Sequence, residues 1–325
     1  MAEWKNKPTF PPGFQYSSFA DATTITPAAD TDNSLPPNSG VYTADLKRDW
    51  CIGFVPHGGY LTALLLRTAH KHITTHPALA PLNQPHAIHI SCTFFNSCTP
   101  GAARIAITPV KTGRQYSFLR ATLTQNGGAR LCFEGLIPFT NLETLQTGPT
   151  LPTASTLPQR GIPDRETECV QAPNASDPRV DVRPVSRKLV YAVPAAGTRK
   201  YGSLEGSPSV REQWVCFRDG GRMDMPALGF LSDMFLPIPE NYKETSRTHW
   251  YPTLSLKIEV KRPPPAEGWK WLFCRIESRE IRNGRMDVMV DIYDEDKNLV
   301  AIANQLAIIV SSDRNKPKTL VPAKL

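Results

Sequence analysis

Residues 57–73 read HGGYLTALLLRTAHKHI, and this stretch decides the fold. Leu61, Leu64, Leu65 and Thr68 recur at helical spacing, while Leu66 and Ala69 fill the opposite side. A helix that is apolar nearly all round has to be buried on every side. Strand-like runs follow it: HAIHISCTFF at 86–95, ARIAITPV at 103–110, YSFLRATLTQ at 116–125 and ARLCFEGLIPF at 129–139. Gly, Pro and Asn punctuate the intervals, as turns between antiparallel strands require.

The same order recurs downstream. ALGFLSDMFLPI at 227–238 reads as the second helix, and TLSLKIEV, WLFCRIESREI, MDVMVDIYD and LVAIANQLAIIV, between 253 and 310, read as its strands. Gly113-Arg114 and Gly284-Arg285 are separated by the same interval as Glu134 and Gln305, so two landmarks give one register. A buried helix wrapped by a long antiparallel sheet is the hotdog arrangement. The expected fold is therefore α+β, a tandem (double) hotdog whose two helix-wrapped antiparallel sheets form a pseudo-dimer within one chain. At 325 residues the chain also exceeds the roughly 250 to 300 residues at which single cores stop growing. The expected division is an N-terminal extension at 1–40, a first hotdog domain at 41–140, a Pro-rich linker at 141–195, a second hotdog domain at 196–312 and a tail at 313–325. The linker, with TGPTLPTASTLPQRGIPD in it, reads as having little secondary structure of its own.

Composition narrows the partners. The net charge of +7 is spread along the chain with no basic run interleaved with aromatics, so nucleic acid is not an expected partner. A modest positive field suits an anionic small molecule such as coenzyme A. No apolar run reaches the roughly 20 residues that a membrane helix needs, and the first residues show no signal-peptide pattern. The seven cysteines contain no CxxC pair, which predicts reduced thiols in an intracellular compartment and neither disulfides, metal nor cofactor. Without a secretory route the sequon Asn174-Ala175-Ser176 has no consequence.

PHGGYLTALLLR in the first half, then SDMFLP, PTLSLKIEVKRPP, NGR and IYDEDKNLVAIANQ in the second, resemble double-hotdog acyl-CoA thioesterases and their fungal relatives in order and approximate spacing. The resemblance covers about 40–140 and 200–312. It implies hydrolysis of an acyl thioester, either acyl-CoA or a carrier-bound acyl or polyketide group. Its implied trio is an acid on the second helix, a hydroxyl at the start of the next strand and a glutamine on the last strand, which fall on Asp233, Thr253 and Gln305.

The residues support the same trio independently. Asp233 interrupts an apolar helix pattern, where an ionised carboxylate needs partners, and Gln305 interrupts the apolar run LVAIANQLAIIV, where a buried amide needs them too. Thr253 carries no signal by itself, and Ser255, two residues on and expected on the same strand face, could replace it. Asp233 would take a proton from water as general base while Thr253 and Gln305 position that water. His57, Gly58 and Gly59 are candidates for substrate and oxyanion contacts at the helix start, although a loop histidine beside glycines is ordinarily exposed. His72 and His76 are four residues apart but lack a third ligand, and HKHITTHP reads as a solvated helix end. The first half offers no acid matching Asp233, and Glu134 stands opposite Gln305 in the repeat, so the two pseudo-equivalent sites should differ. No G-x-S-x-G elbow is present, which argues against a serine hydrolase. Other classes remain open: a hotdog-fold tailoring enzyme of polyketide or fatty-acid metabolism (dehydratase- or isomerase-like), or a non-catalytic acyl-binding protein. A homo-oligomer is compatible with the sequence.

The chain ends Ala323-Lys324-Leu325, close to the Ser-Lys-Leu address read by the peroxisomal import receptor. Peroxisomal delivery is the expectation, with a cytoplasmic enzyme as the alternative. An N-terminally fluorescent fusion should overlap a peroxisomal marker and become diffuse when the last three residues are removed. A diffuse full-length fusion would refute this address.

Overall fold

The computed structural model describes residues 9–28, 34–151, 153, 161–172, 182–195, 207–242 and 248–315. The sequon at 174–176 and the terminal Ala323-Lys324-Leu325 lie outside the described residues. In chain order the main elements are β1 (Gly40–Leu46), α1 (Gly58–Thr75), β2 (His89–Phe94), β3 (Gly101–Lys111), β4 (Ser117–Gln125) and β5 (Arg130–Thr140). They continue with β6 (Cys169–Gln171), β7 (Leu189–Pro194), β8 (Val210–Phe217), α2 (Met225–Leu231), β9 (Thr253–Val260), β10 (Leu272–Glu277), β11 (Arg285–Tyr293) and β12 (Leu299–Ile308).

All these strands join one antiparallel sheet in the order β1-β3-β4-β5-β2-β9-β12-β11-β10-β8-β7-β6. Its middle is the β2–β9 pair, with Cys92 opposite Leu256 and Ile90 opposite Ile258. Outward from that pair, both halves repeat one order: the strand after the helix, then the last, the middle and the first of the following three, and finally the strand before the helix. Each repeat therefore starts one strand earlier than the sequence reading had it, with β1 and β8 placed before the helices.

Side-chain alternation sets what each strand buries. On β4, Leu119, Ala121 and Leu123 are fully buried while Arg120 between them is exposed. The inward faces close over α1, whose Leu64, Leu65 and Ile73 are also buried. Each such side chain contributes about 1.5 to 3 kcal/mol of burial, so packing rather than propensity holds this helix. Its end is local: His76 precedes Pro77, which forces an extended backbone there (φ −70, ψ 128).

Several expectations need correction. The interval 141–195 is more than a linker, because β6 and β7 extend the sheet beyond β8 and Trp214 donates to the Pro163 carbonyl at 2.9 Å. The second helix stops at Leu231 rather than running through 238, so Asp233 sits in the turn beyond it. The shared register also fails at strand level. Asn283 and Gly284 form a left-handed turn (φ 52 and 68), whereas Gly113 has no positive φ. Glu134 points outward opposite Thr93, while Gln305 points inward opposite Leu256. The inward neighbours of Glu134 are Phe133 and Gly135, so the first half has no polar counterpart to Gln305 at that level.

The helices cross at backbone contact. A Cβ on Gly59 would lie 2.5 Å from the Phe230 carbonyl oxygen and 2.9 Å from Asp233 Cβ, and one on Gly229 would lie 3.1 Å from the Ala63 nitrogen. Backbone atoms cannot swing aside, so Gly59→Ala should destabilise the fold by about 1 to 3 kcal/mol. The check is a lower urea midpoint at an unchanged slope; an unchanged midpoint would mean the crossing has slack.

Candidate active site

The turn after α2 delivers Asp233. Ser232 ends the helix, its hydroxyl donating back to the Leu228 carbonyl at 2.7 Å, and the chain then brings Asp233 to the start of α1. There the Gly59 N–H donates to Asp233 Oδ2 at 2.8 Å and the Thr253 hydroxyl donates to Oδ1 at 3.2 Å. The side chain keeps 12% of its exposure, enough for contact with a cavity.

A β-bulge brings Thr253 into place. Thr253 pairs with Ala307, but Ser255 pairs with Leu306, so the strand gains a residue between them and its parity reverses. Thr253 joins the inward side and Ser255 the outward side, opposite the 42% exposed Leu306. Ser255 therefore does not share the face of Thr253 and is not placed to replace it. Gln305 is buried, and its Nε2–H donates to the Ser232 carbonyl, which fixes the orientation of the amide. Among the described residues its Oε1 has no hydrogen-bond partner.

His57 is buried rather than exposed. Its Nδ1 accepts from the Tyr60 N–H at 3.3 Å as the N-cap of α1, so the ring proton resides on Nε2, which donates to the Asp233 carbonyl at 3.0 Å. Burial holds its pKa below the ordinary value; the nearby Asp233 opposes that and Arg183 adds to it. A neutral imidazole follows, so its 3.4 Å approach to Asp233 Oδ2 is not an ion pair. The two glycines divide their work: the Gly59 amide is taken by Asp233, while the Gly58 amide, the first of the helix, has no partner among the described residues.

These groups border one cavity of about 200 Å³. His57, Gly58, Asp233, Thr253 and Gln305 all line it, with apolar walls from Phe94, Phe235 and Trp250. Arg183 lines it too, donating to the Phe235 carbonyl at 2.8 Å. Nothing in the sequence marked Arg183, because it falls in the interval read as linker.

The remaining candidates are occupied elsewhere. His72 is buried between the Tyr42 hydroxyl and the Asn38 carbonyl, at 3.0 and 2.9 Å, so it is not a solvated helix end. Cys98 borders the cavity, but a hydrogen bond with Cys132 together with burial pushes its thiol up, away from the thiolate a nucleophile needs. At the start of α2 the N-cap is Asp224, Pro226 removes an amide, and Arg67 of α1 pairs with Asp224 at 2.7 Å. An ion pair, partly exposed, thus stands at the start of α2.

A helix start, a carboxylate and an amide thus face one cavity beside a long antiparallel sheet. Comparison with known proteins gives the family. Residues 46–140 match the acyl-CoA thioesterase N-terminal domain, and residues 166–309 match the acyl-CoA thioesterase C-terminal domain. The thioesterase-like protein TwmA of Talaromyces wortmannii is 28% identical over 327 residues, covering 86% of this chain and 91% of that protein. Two solved structures share the fold. A hotdog-fold protein of unknown function from Alicyclobacillus acidocaldarius superposes with a TM-score of 0.68 at 17% identity, covering 90% of this chain and 97% of that one. Acyl-CoA thioesterase II TesB2 from Mycobacterium marinum gives 0.64 at 15% identity, covering 90% and 98%. The chain belongs to the acyl-CoA thioesterase family and is a hydrolase.

Protonation connects the site to stability. His57, His70, His72, His86 and His89 are all held below the ordinary imidazole value of 6.5, chiefly by burial. Below about pH 6.5 the unfolded chain takes up protons that the folded chain refuses, so stability is full above that value and falls as pH drops through the folded pKa values. Urea unfolding near pH 7.5 and about 5.5 should show a lower midpoint at the acid value. Equal midpoints would contradict neutral burial of these rings.

Proposed function

We propose that this protein hydrolyses an acyl thioester by direct attack of water, with Asp233 as general base and Thr253 and Gln305 as positioning groups. The observation that carries the reading is the Asp233 carboxylate held by Gly59 and Thr253 beside the open Gln305 oxygen. Both carboxylate oxygens are anchored by donors, yet each keeps a lone pair for water.

The water oxygen forms a bond to the thioester carbonyl carbon as its proton moves to Asp233. Gln305 Oε1 accepts the second water hydrogen and so fixes the attack direction. The carbonyl oxygen gains the negative charge, and the Gly58 N–H at the positive end of α1 is the donor available to it. The carbon–sulfur bond then breaks, and the proton held by Asp233 passes to the departing thiolate. The products are a carboxylic acid and a thiol. Coenzyme A or a carrier-bound pantetheine is the thiol this reading assigns.

In this reading the two repeats form a tandem hotdog that acts as an internal pseudo-dimer. The first contributes the helix start with His57, Gly58 and Gly59, and the second contributes Asp233, Thr253 and Gln305. The matching strand orders support it, and the second helix start, with Asp224 and Pro226 where the first has His57 and Gly59, implies one working site per chain.

Asp233→Asn should keep the fold, since an amide oxygen can still accept from Gly59, while lowering turnover of an acyl-CoA by about a hundredfold or more. Thr253→Val should lower it less, because Thr253 moves no proton. Steady-state rates with melting temperatures are the measurement. Full activity in Asp233→Asn would end the general-base assignment, and a wild-type protein that turns over no acyl-CoA would favour a tailoring or acyl-binding role for the cavity.

A further inference from the structure

Among the described residues that line the cavity, Arg183 is the one cationic side chain, and no step of the hydrolysis uses it. Its backbone is fixed from both sides. Before it, the Val182 carbonyl accepts the Gly53 N–H at 2.6 Å; after it, Pro184 opens a short helical turn, Pro184–Lys188, in which Pro184, Val185 and Lys188 are buried. The guanidinium then donates to the Phe235 carbonyl at 2.8 Å. An arginine fork has several N–H donors in a rigid plane and does not lose its charge.

Two consecutive residues thereby reach both chain segments that meet at the Gly59–Asp233 contact. Val182 holds the loop that leads into His57, and Arg183 holds the turn just beyond Asp233. A general base has to lie within hydrogen-bond reach of the proton it takes, and a displacement of about 1 Å can cost roughly a hundredfold in rate. The bond to the Phe235 carbonyl can therefore act on catalysis without touching substrate.

The charge of Arg183 has a second object. The charged groups that face His57 are Asp233, from the turn after α2, and Arg183, from the segment before β7. Burial does most to keep this ring from a second proton; Asp233 works against that and Arg183 adds to it. The second proton would go on Nδ1, the atom that accepts the Tyr60 N–H at 3.3 Å, and two donors would then face each other at the start of α1. The cap of the helix that presents Gly58 and Gly59 thus depends on a neutral ring.

We propose that Arg183 is a positioning residue of this active site, holding the turn that carries Asp233 through the Phe235 carbonyl and protecting the His57 cap with its charge. The role rests on the thioester-hydrolase reading of the same site, and one arm of the test needs no turnover. Arg183→Met removes both donor and charge, while Arg183→Lys keeps the charge on a less directional donor. Steady-state rates are measured at about pH 7.5 with hexanoyl- and palmitoyl-CoA. Arg183→Met should lower kcat about tenfold or more with KM changed by less than about threefold. In an Asp233→Asn background the same substitution should cost less than about threefold, because its effect runs through Asp233. Ring-nitrogen NMR of the histidine-labelled full-length protein, assigned with His57→Gln, follows the His57 ring through acid titration. The ring should take its second proton at a higher pH in Arg183→Met than in the wild type, and Arg183→Lys should return it toward the wild-type value. Undiminished kcat in Arg183→Met would overturn the assignment, as would a raised KM at unchanged kcat, which would make Arg183 a substrate contact. An equal loss in the Asp233→Asn background, or an unchanged His57 titration, would also overturn it. Arg183→Gln lacks the charge too and carries the same tests should Arg183→Met fail to fold. A wild type that hydrolyses neither thioester would sink the hydrolase reading, and the histidine titration would then decide the Arg183 assignment by itself.

Discussion

One backbone amide meeting one carboxylate organises the site: the Gly59 N–H on Asp233 Oδ2 at 2.8 Å. The amide belongs to the first turn of an 18-residue helix and the carboxylate to a turn far along the chain. The contact satisfies a donor that every helix start leaves unpaired, and it sets a negative charge at the favourable end of the helix dipole. It also dictates sequence. A Cβ at Gly58 would stand 2.8 Å from Asp233 Oδ2, so both glycines are required by close approach rather than by an unusual backbone angle. His57 completes the junction by capping α1 with one ring nitrogen and holding the Asp233 carbonyl with the other.

The second constraint is parity. Without the bulge near 254, Thr253 would face outward with Lys257 and Glu259, because Leu256 and Ile258 define the inward side. One added residue turns the hydroxyl toward Asp233 and leaves the rest of β9 in register with both neighbours. Gln305 and Glu134 differ for a simpler reason. The two repeats carry the same bulge, at Leu131–Phe133 and at Leu299–Ala301, and the alignment it sets places Gln305 against the buried Ile137, an odd number of residues from Glu134, so the two face opposite ways.

What the sequence made legible follows from these scales. The helix at 58–75 was readable because an all-apolar surface has no other stable reading, and most strands were readable from alternation within each run. Asp233 and Gln305 stood out as polar groups in apolar surroundings, which is a local signal. Neither the burial of His57 nor the bulge at β9 has such a signal, because each depends on partners distant in sequence. The strand before each helix was overlooked for a related reason: GVYTADL and VREQWVCF mix polar residues into short runs and become strands through the neighbours they pair with.

The same reasoning explains why the Pro-rich interval proved structural where it is described. Its composition argued for a loop, yet Val182, Arg183 and Lys188 make three separate attachments around the site. The Gly53 N–H donates to the Val182 carbonyl at 2.6 Å, which ties down the loop leading into His57. Arg183 donates to the Phe235 carbonyl, two residues beyond Asp233. Lys188 forms a buried ion pair with Asp49 and also donates to the Ser17 carbonyl at 2.6 Å, while the Ser17 N–H donates to Asp49 at 2.8 Å. Burial pulls the Lys188 pKa down, and the hydrogen bond and charge of Asp49 oppose it. A pair of this kind adds little net stability over apolar packing, but losing either member strands a buried charge at a cost of about 3 to 5 kcal/mol. Its consequence is therefore geometric: one segment ties the loop before α1, the N-terminal segment at Ser17 and the turn after α2, which carries Asp233, to each other.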